Sequence, residues 1–78
     1  MPTHLEQVIE IVSTQLGAGN VAPAQRIVED LGAESMDIVN IIAALEERFS
    51  VAIDESELPD IHTVAELARM VADRSGPG

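Results

Sequence analysis

The stretch Leu31–Val39, with the sequence LGAESMDIV, is the one around which the rest of this chain is organised. A loop ends at Glu34 and apolar residues recur at helical spacing from Met36, so a helix is predicted with Ser35 at its mouth. Two interpretations of Ser35 are open. Serine is favoured for pairing the free N–H groups at a helix start. A phosphate attached to its hydroxyl would instead face those groups and the positive end of the helix dipole.

Apolar residues at helical spacing predict three main helices: Thr3–Leu16, Ser35–Phe49 and a last helix that opens at Thr63. Thr3 with Glu6, and Thr63 with Glu66, have the spacing of a capping box, in which each side chain pairs a backbone N–H of the other residue. Glycine and asparagine after the first helix favour its end there. The first two helices should therefore be separated by a long loop.

That loop, Val21–Glu34, is long for so small a domain, and its apolar residues should pack onto the core. A short helical turn is predicted over Asp54–Leu58, closed by Pro59. No alternating strand pattern is present. The fold class is therefore predicted to be all-α, a small four-helix bundle of three main helices and one short helix. Residues 1–75 should form a single domain, with residues 76–78 as a frayed tail.

The charge excludes several classes of function. The chain has 78 residues, fourteen of them acidic against four basic, for a formal net charge of −10. Nucleic-acid binding is not expected at that charge. The acidity could serve solubility alone or steer basic protein partners, and composition does not decide between them. No apolar run is long enough for a membrane span and no secretory signal is visible, so a cytoplasmic location is expected.

The sequence lacks the groups of residues that metal binding or enzyme catalysis would need. Cysteine is absent, which excludes thiolate catalysis and cysteine metal sites. The acidic run Asp54–Glu57 lacks the glycine and the distant glutamate of a calcium loop. His4 and His62 are far apart, and neither has a second ligand at metal spacing. Ser35 has no histidine near it in sequence, so we predict no metal site and no catalytic activity.

The remaining features resemble the acyl carrier protein family, whose members carry 4′-phosphopantetheine. The segment Leu31–Asp37 is similar to the family's modification motif, usually written Leu-Gly-x-Asp-Ser-Leu. The segment Ile38–Phe49 is similar to its second helix, and Ile61–Leu67 to the start of its last helix. Three matches in order across nearly the whole chain make the resemblance specific.

The resemblance implies that Ser35 is esterified by 4′-phosphopantetheine, which a phosphopantetheinyl transferase delivers from coenzyme A. The thiol of that arm would hold an acyl group as a thioester. The chain would act as a monomer that docks on acyl-transferring and ketosynthase-type enzymes through their basic patches. The residues that match the docking surface are Glu34, Met36, Asp37, Glu46 and Glu47. The residues expected to line an acyl-chain pocket are Val39, Ile42, Ala43, Leu45, Phe49, Ile53, Ile61 and Leu67, although core packing explains them equally well.

The sequence departs from the family pattern at three positions. Glu34 replaces the usual aspartate before the serine, Met36 replaces the usual leucine, and Asn40 stands where many fatty-acid carriers have an acid. These departures suggest a specialised carrier rather than the main fatty-acid one. The sequence does not decide among fatty-acid, polyketide, lipid A and other specialised pathways. Two alternatives stay open. An aminoacyl or peptidyl carrier would use the same serine, and an unmodified acidic bundle would bind a protein partner without it.

Overall fold

The computed structural model describes residues 3–54, 56–57 and 61–75. The described chain forms three helices, α1 (His4–Leu16), α2 (Ser35–Phe49) and α3 (Val64–Ser75). No strand occurs in these ranges; one antiparallel pair, Arg26 with Thr63, links the first loop to the start of α3. The predicted all-α class is confirmed.

Side-chain caps fix the first and last helices where the sequence places them. Thr3 Oγ1 accepts a hydrogen bond from the Glu6 N–H at 3.1 Å, and Thr63 Oγ1 accepts one from the Glu66 N–H at 3.1 Å. In turn, the side-chain carboxylate of each glutamate accepts a hydrogen bond from the backbone N–H of the capping threonine. Gly17 ends α1 with a φ of 64°, a left-handed conformation that glycine adopts without a Cβ clash. The predicted capping boxes are confirmed.

The core lies between the three helices. α1 packs against both α2 and α3, which contact each other least. The most deeply buried side chains are Val8, Val12, Ile41, Leu45, Val64, Leu67 and Val71. Helical spacing predicts an inner stripe of Leu5, Val8, Ile9, Val12 and Leu16 on α1. The structure also buries Ile11, whereas Leu5, Ile9 and Leu16 are only half-buried. Because apolar residues lie on two sides of α1, their spacing alone does not show which side faces the core.

Asp54, Ser56 and Glu57 of the predicted short helix are described, and Ser56 and Glu57 form one tight helical turn. The Glu57 N–H donates to the Asp54 carbonyl at 3.0 Å, and the Ser56 N–H donates to Asp54 Oδ1 at 3.0 Å. The remainder of the predicted helix, and the predicted frayed tail at 76–78, lie outside the described residues. Among the helices that are described, none has the length and apolarity needed to cross a bilayer.

Candidate functional site

Ser35 is the first residue of α2, and its side chain is exposed. The residue that caps the helix is Glu34, with an extended backbone at φ −95° and ψ 172°. Asp37 Oδ2 accepts the Glu34 N–H at 2.9 Å, so the carboxylate fixes the helix start. Ser35 Oγ makes no hydrogen bond with any described residue. The capping interpretation of Ser35 is therefore wrong, because Glu34 occupies the cap position and the Ser35 hydroxyl bonds to no described residue.

The mouths of α2 and α3 differ in how their first N–H groups are paired. In α3, the Val64 N–H donates to the Gln25 carbonyl at 3.1 Å and the Ala65 N–H to the Pro23 carbonyl at 2.9 Å. In α2, the N–H groups of Ser35 and Met36 have no acceptor in the described part of the chain. Free N–H groups at a helix start attract an anion, together with the helix dipole. A phosphate on Ser35 would meet both.

The first loop holds Ser35 in place through backbone hydrogen bonds to distant and near segments. The Ile27 N–H donates to the His62 carbonyl at 2.8 Å, which ties the loop to the approach of α3. The Ala33 N–H then donates to the Ile27 carbonyl at 3.1 Å. Gly32 takes a φ of 71° just before the site, and both Ile27 and Ala33 are buried. The approach to Ser35 is thus anchored on the segment that leads into α3.

A second set of bonds closes the turn in this loop. Asp30 Oδ2 accepts the Arg26 N–H at 2.8 Å, while the Arg26 guanidinium donates to Asp30 Oδ1 at 3.2 Å. The backbone bond from Arg26, followed by its side-chain bond, lowers the pKa of Asp30. Arg26 also lies 3.7 Å from Glu29. Because these groups are exposed, they shape the turn more than they stabilise the fold.

Three large apolar side chains are exposed: Met36 and Val39 lie about one turn apart on α2 next to Ser35, and Val28 lies in the first loop. Met36 is 71% exposed, Val39 58% and Val28 53%. We call Val28, Met36 and Val39 the apolar patch. The prediction that the loop's apolar residues pack inward holds for Ile27 but is wrong for Val28. Exposed apolar residues that cluster in one region mark contact surfaces more often than scattered ones do.

The predicted docking acids are not equivalent in the structure. Glu34 and Glu47 are exposed and Asp37 is half-buried. The half-buried Glu46 accepts the Ile53 N–H on Oε2 at 2.9 Å, so its carboxylate closes the chain that follows α2. Sequence reasoning missed this bond because nothing in the helical pattern connects residue 46 to a loop amide beyond the helix end. A carboxylate near the C-terminal end of a helix opposes the helix dipole. The hydrogen bond to Ile53 gives Glu46 a structural role at that position.

The predicted pocket residues occupy three environments. Leu45, Ile53 and Leu67 are buried in the core, while Ile42, Phe49 and Ile61 are half-buried. Val39 and Ala43 are exposed on the outer side of α2, because the helix turns them away from the buried Ile41 and Leu45. Their predicted place inside a pocket is therefore wrong. A groove of about 580 Å³ lies between α1 and α2. It is lined by Glu10, Ile11, Thr14, Gln15, Ala44, Glu47 and Arg48, none of them a predicted pocket residue.

Neither histidine shares a hydrogen bond with Ser35 among the described residues. The ring of His4 stacks on that of Phe49 with centroids 5.3 Å apart, at the far end of α2. The His62 carbonyl accepts the Ile27 N–H of the first loop, and the His62 N–H donates to Glu66 Oε1 in the first turn of α3. Over the described ranges, no three His, Asp or Glu side chains form a group that could hold a metal ion. Within the described ranges, no base is hydrogen-bonded to the Ser35 hydroxyl.

A family model described as a phosphopantetheine attachment site matches residues 6–71. The acyl carrier protein of Helicobacter hepaticus is 40% identical over 68 residues, which cover 85% of this chain and 90% of the relative. That of Solidesulfovibrio magneticus is 37% identical over 73 residues, with coverage of 91% and 94%. That of Syntrophobacter fumaroxidans is 36% identical over 63 residues, with coverage of 78% for both.

Two solved structures have the same fold. A chain of the structure named "The ishigamide ketosynthase/chain length factor" superimposes with a TM-score of 0.76 at 28% identity, covering 97% of this chain and 99% of that chain. The crystal structure of the acyl carrier protein from Thermotoga maritima superimposes with a TM-score of 0.72 at 26% identity, covering 87% and 81%.

Proposed function

The chain belongs to the acyl carrier protein family, and we propose that Ser35 is the residue that holds its 4′-phosphopantetheine arm. The family works as a carrier rather than as an enzyme. The observation that carries the proposal is the open mouth of α2, where the exposed Ser35 hydroxyl and the N–H groups of Ser35 and Met36 have no partner among the described residues. An ester from Ser35 Oγ to phosphorus would place the phosphate charge at that mouth.

The arm supplies the chemistry that the chain lacks. The sequence contains no cysteine, so the sulfur of a thioester has to come from the attached group. We propose that its thiol holds an acyl intermediate in a fatty-acid, polyketide or other specialised pathway. The fold shared with a chain from a ketosynthase structure supports a ketosynthase among the partners. Loading tests that compare acyl-transferring with amino-acid-activating enzymes would distinguish this carrier from a peptidyl one.

The proposed docking surface combines the apolar patch with the acids beside it. Glu34 and Asp37 flank Ser35, and Glu47 lies farther along the exposed side of α2. With a net charge of −10, the chain should attract enzymes that present basic residues around an apolar depression. Glu46 should contribute less to docking than Glu47, because its carboxylate already binds the Ile53 N–H.

The test is intact mass spectrometry after incubation with coenzyme A and a broad-specificity phosphopantetheinyl transferase. We expect one phosphopantetheine adduct on the native chain and none on Ser35→Ala. Ser56→Ala, which removes another exposed serine, serves as the matched control and should load like the native chain. An unmodified native chain, or an adduct that persists in Ser35→Ala, would refute the assignment.

A further inference from the structure

Met36 is the most exposed large apolar side chain in the described structure, with 71% of its surface accessible, and it follows Ser35 directly. The chain has three methionines. Met70, the other one in the described ranges, is half-buried against the core. The sequence contains no cysteine, so a thiol does not compete for oxidants in the unloaded chain. The most accessible sulfur atom of the described chain thus lies within the apolar patch.

We propose that Met36 is a reversible oxidation site that controls docking at Ser35, an inference that rests on the proposed function. A peroxide transfers one oxygen to the thioether: the S–O bond forms, the O–O bond breaks, and water leaves, while sulfur loses two electrons. A sulfoxide reductase reverses the step with two external thiols, which become a disulfide as water is released. Methionine sulfoxide is polar, whereas the thioether is apolar and flexible.

The consequence for docking follows from where the oxygen is placed. Val39 is exposed about one turn from Met36 on α2, so a partner that covers Ser35 has to cover apolar surface. The sulfoxide oxygen would lose its water there without gaining a hydrogen bond, and burial of such a group weakens association. Met36 makes no contribution to the buried core, so its oxidation should leave the fold intact.

The experiment treats the unloaded chain with hydrogen peroxide and locates the added oxygen by peptide mass spectrometry. Met36 should be oxidised well before Met70, because Met70 is partly shielded. The rate of phosphopantetheine loading should then fall by about tenfold, the effect of one unpaired polar group at an interface. The melting temperature should stay unchanged, and treatment with a methionine sulfoxide reductase should restore the rate.

Each variant is compared with its own untreated sample, so any effect of the substitution on the basal rate cancels. Met36→Leu should load at the same rate before and after peroxide, while Met70→Leu should lose rate as the native chain does. An unchanged rate on chains with oxidised Met36, or an equal loss in Met36→Leu, would overturn the proposal. An untreated native chain that takes no adduct would instead refute the proposed function, and peroxide mapping of Met36 against Met70 would still report the accessibility separately.

Discussion

Removal of the Glu46 carboxylate should destabilise the fold although the residue lies on a helix surface. Glu46 Oε2 accepts the Ile53 N–H at 2.9 Å, and Ile53 is only 9% exposed. Glu46→Ala leaves that N–H without its charged acceptor. A half-buried bond of this kind contributes about 1–2 kcal/mol, below the upper range for charged acceptors because water reaches it in part. In a domain of this size, each kcal/mol shifts the melting temperature by about 4–8 °C.

The neighbouring acid provides the matched control. Glu47→Ala removes the same charge and makes the same change in helix propensity, but Glu47 is exposed and has no hydrogen bond with any described residue. Its melting temperature should change by about 4 °C or less, because ordinary surface substitutions change stability by no more than about 0.5 kcal/mol. Glu46→Gln keeps an oxygen that can accept the Ile53 N–H and should therefore recover most of the loss.

Circular dichroism at 222 nm during heating measures all three variants at one pH and salt concentration. Equal melting temperatures for Glu46→Ala and Glu47→Ala would show that the bond to Ile53 does not stabilise the fold. The same variants test docking by stopped-flow association with a basic partner enzyme. Glu47→Ala should slow association at low salt more than Glu46→Gln does, and the difference should shrink as salt rises. A larger effect for Glu46→Gln would contradict the unequal roles.

Three further predictions concern the core, the loop and the last helix. Leu45→Ala should lower the free energy of unfolding in urea by about 2–5 kcal/mol, because Leu45 is fully buried and leaves a cavity; a loss under about 1 kcal/mol would show that the core is loose there. Gly32→Ala should cost about 1 kcal/mol by thermal melting, because φ is 71° and an added Cβ meets no neighbour, so only backbone strain remains. Gly32→Asn should cost less, since asparagine tolerates that conformation, and equal losses would contradict the strain. N–H bonds from Thr63 and His62 lower the pKa of Glu66, so the stability gap between native and Glu66→Gln should be full at pH 7. That gap should shrink as pH falls below the ordinary value of 4.5 and vanish below the lowered pKa, whereas a gap independent of pH would refute the charge effect.

Local patterns were sufficient to predict the helices and their ends. The threonine–glutamate spacing places the starts of α1 and α3, because each capping box joins residues three positions apart. Ser35 at the mouth of α2 follows from the same kind of reading. In each case the interacting groups are close in sequence, so their spacing is enough to predict the contact.

Contacts between distant segments were not visible in the pattern. The bonds from the Ile27 N–H to the His62 carbonyl and from the Val64 N–H to the Gln25 carbonyl join backbone groups. Almost all residues carry such groups, so the residue types in the sequence do not indicate which of them will pair. Spacing also suggested a broad apolar arc on α2 without showing which part of it lies outside. The exposed position of Val39 depends on where α1 and α3 pack, and helical periodicity alone does not fix that.

The anchoring of the first loop on the start of α3 has a consequence during protein synthesis. Translation runs from the N-terminus, so Ser35 leaves the ribosome before the carbonyl of His62 and the N–H of Val64 exist to hold the loop. A nascent chain that ends before α3 displays the serine on an approach that still lacks its support. The final stretch of translation therefore completes the geometry of a residue made much earlier.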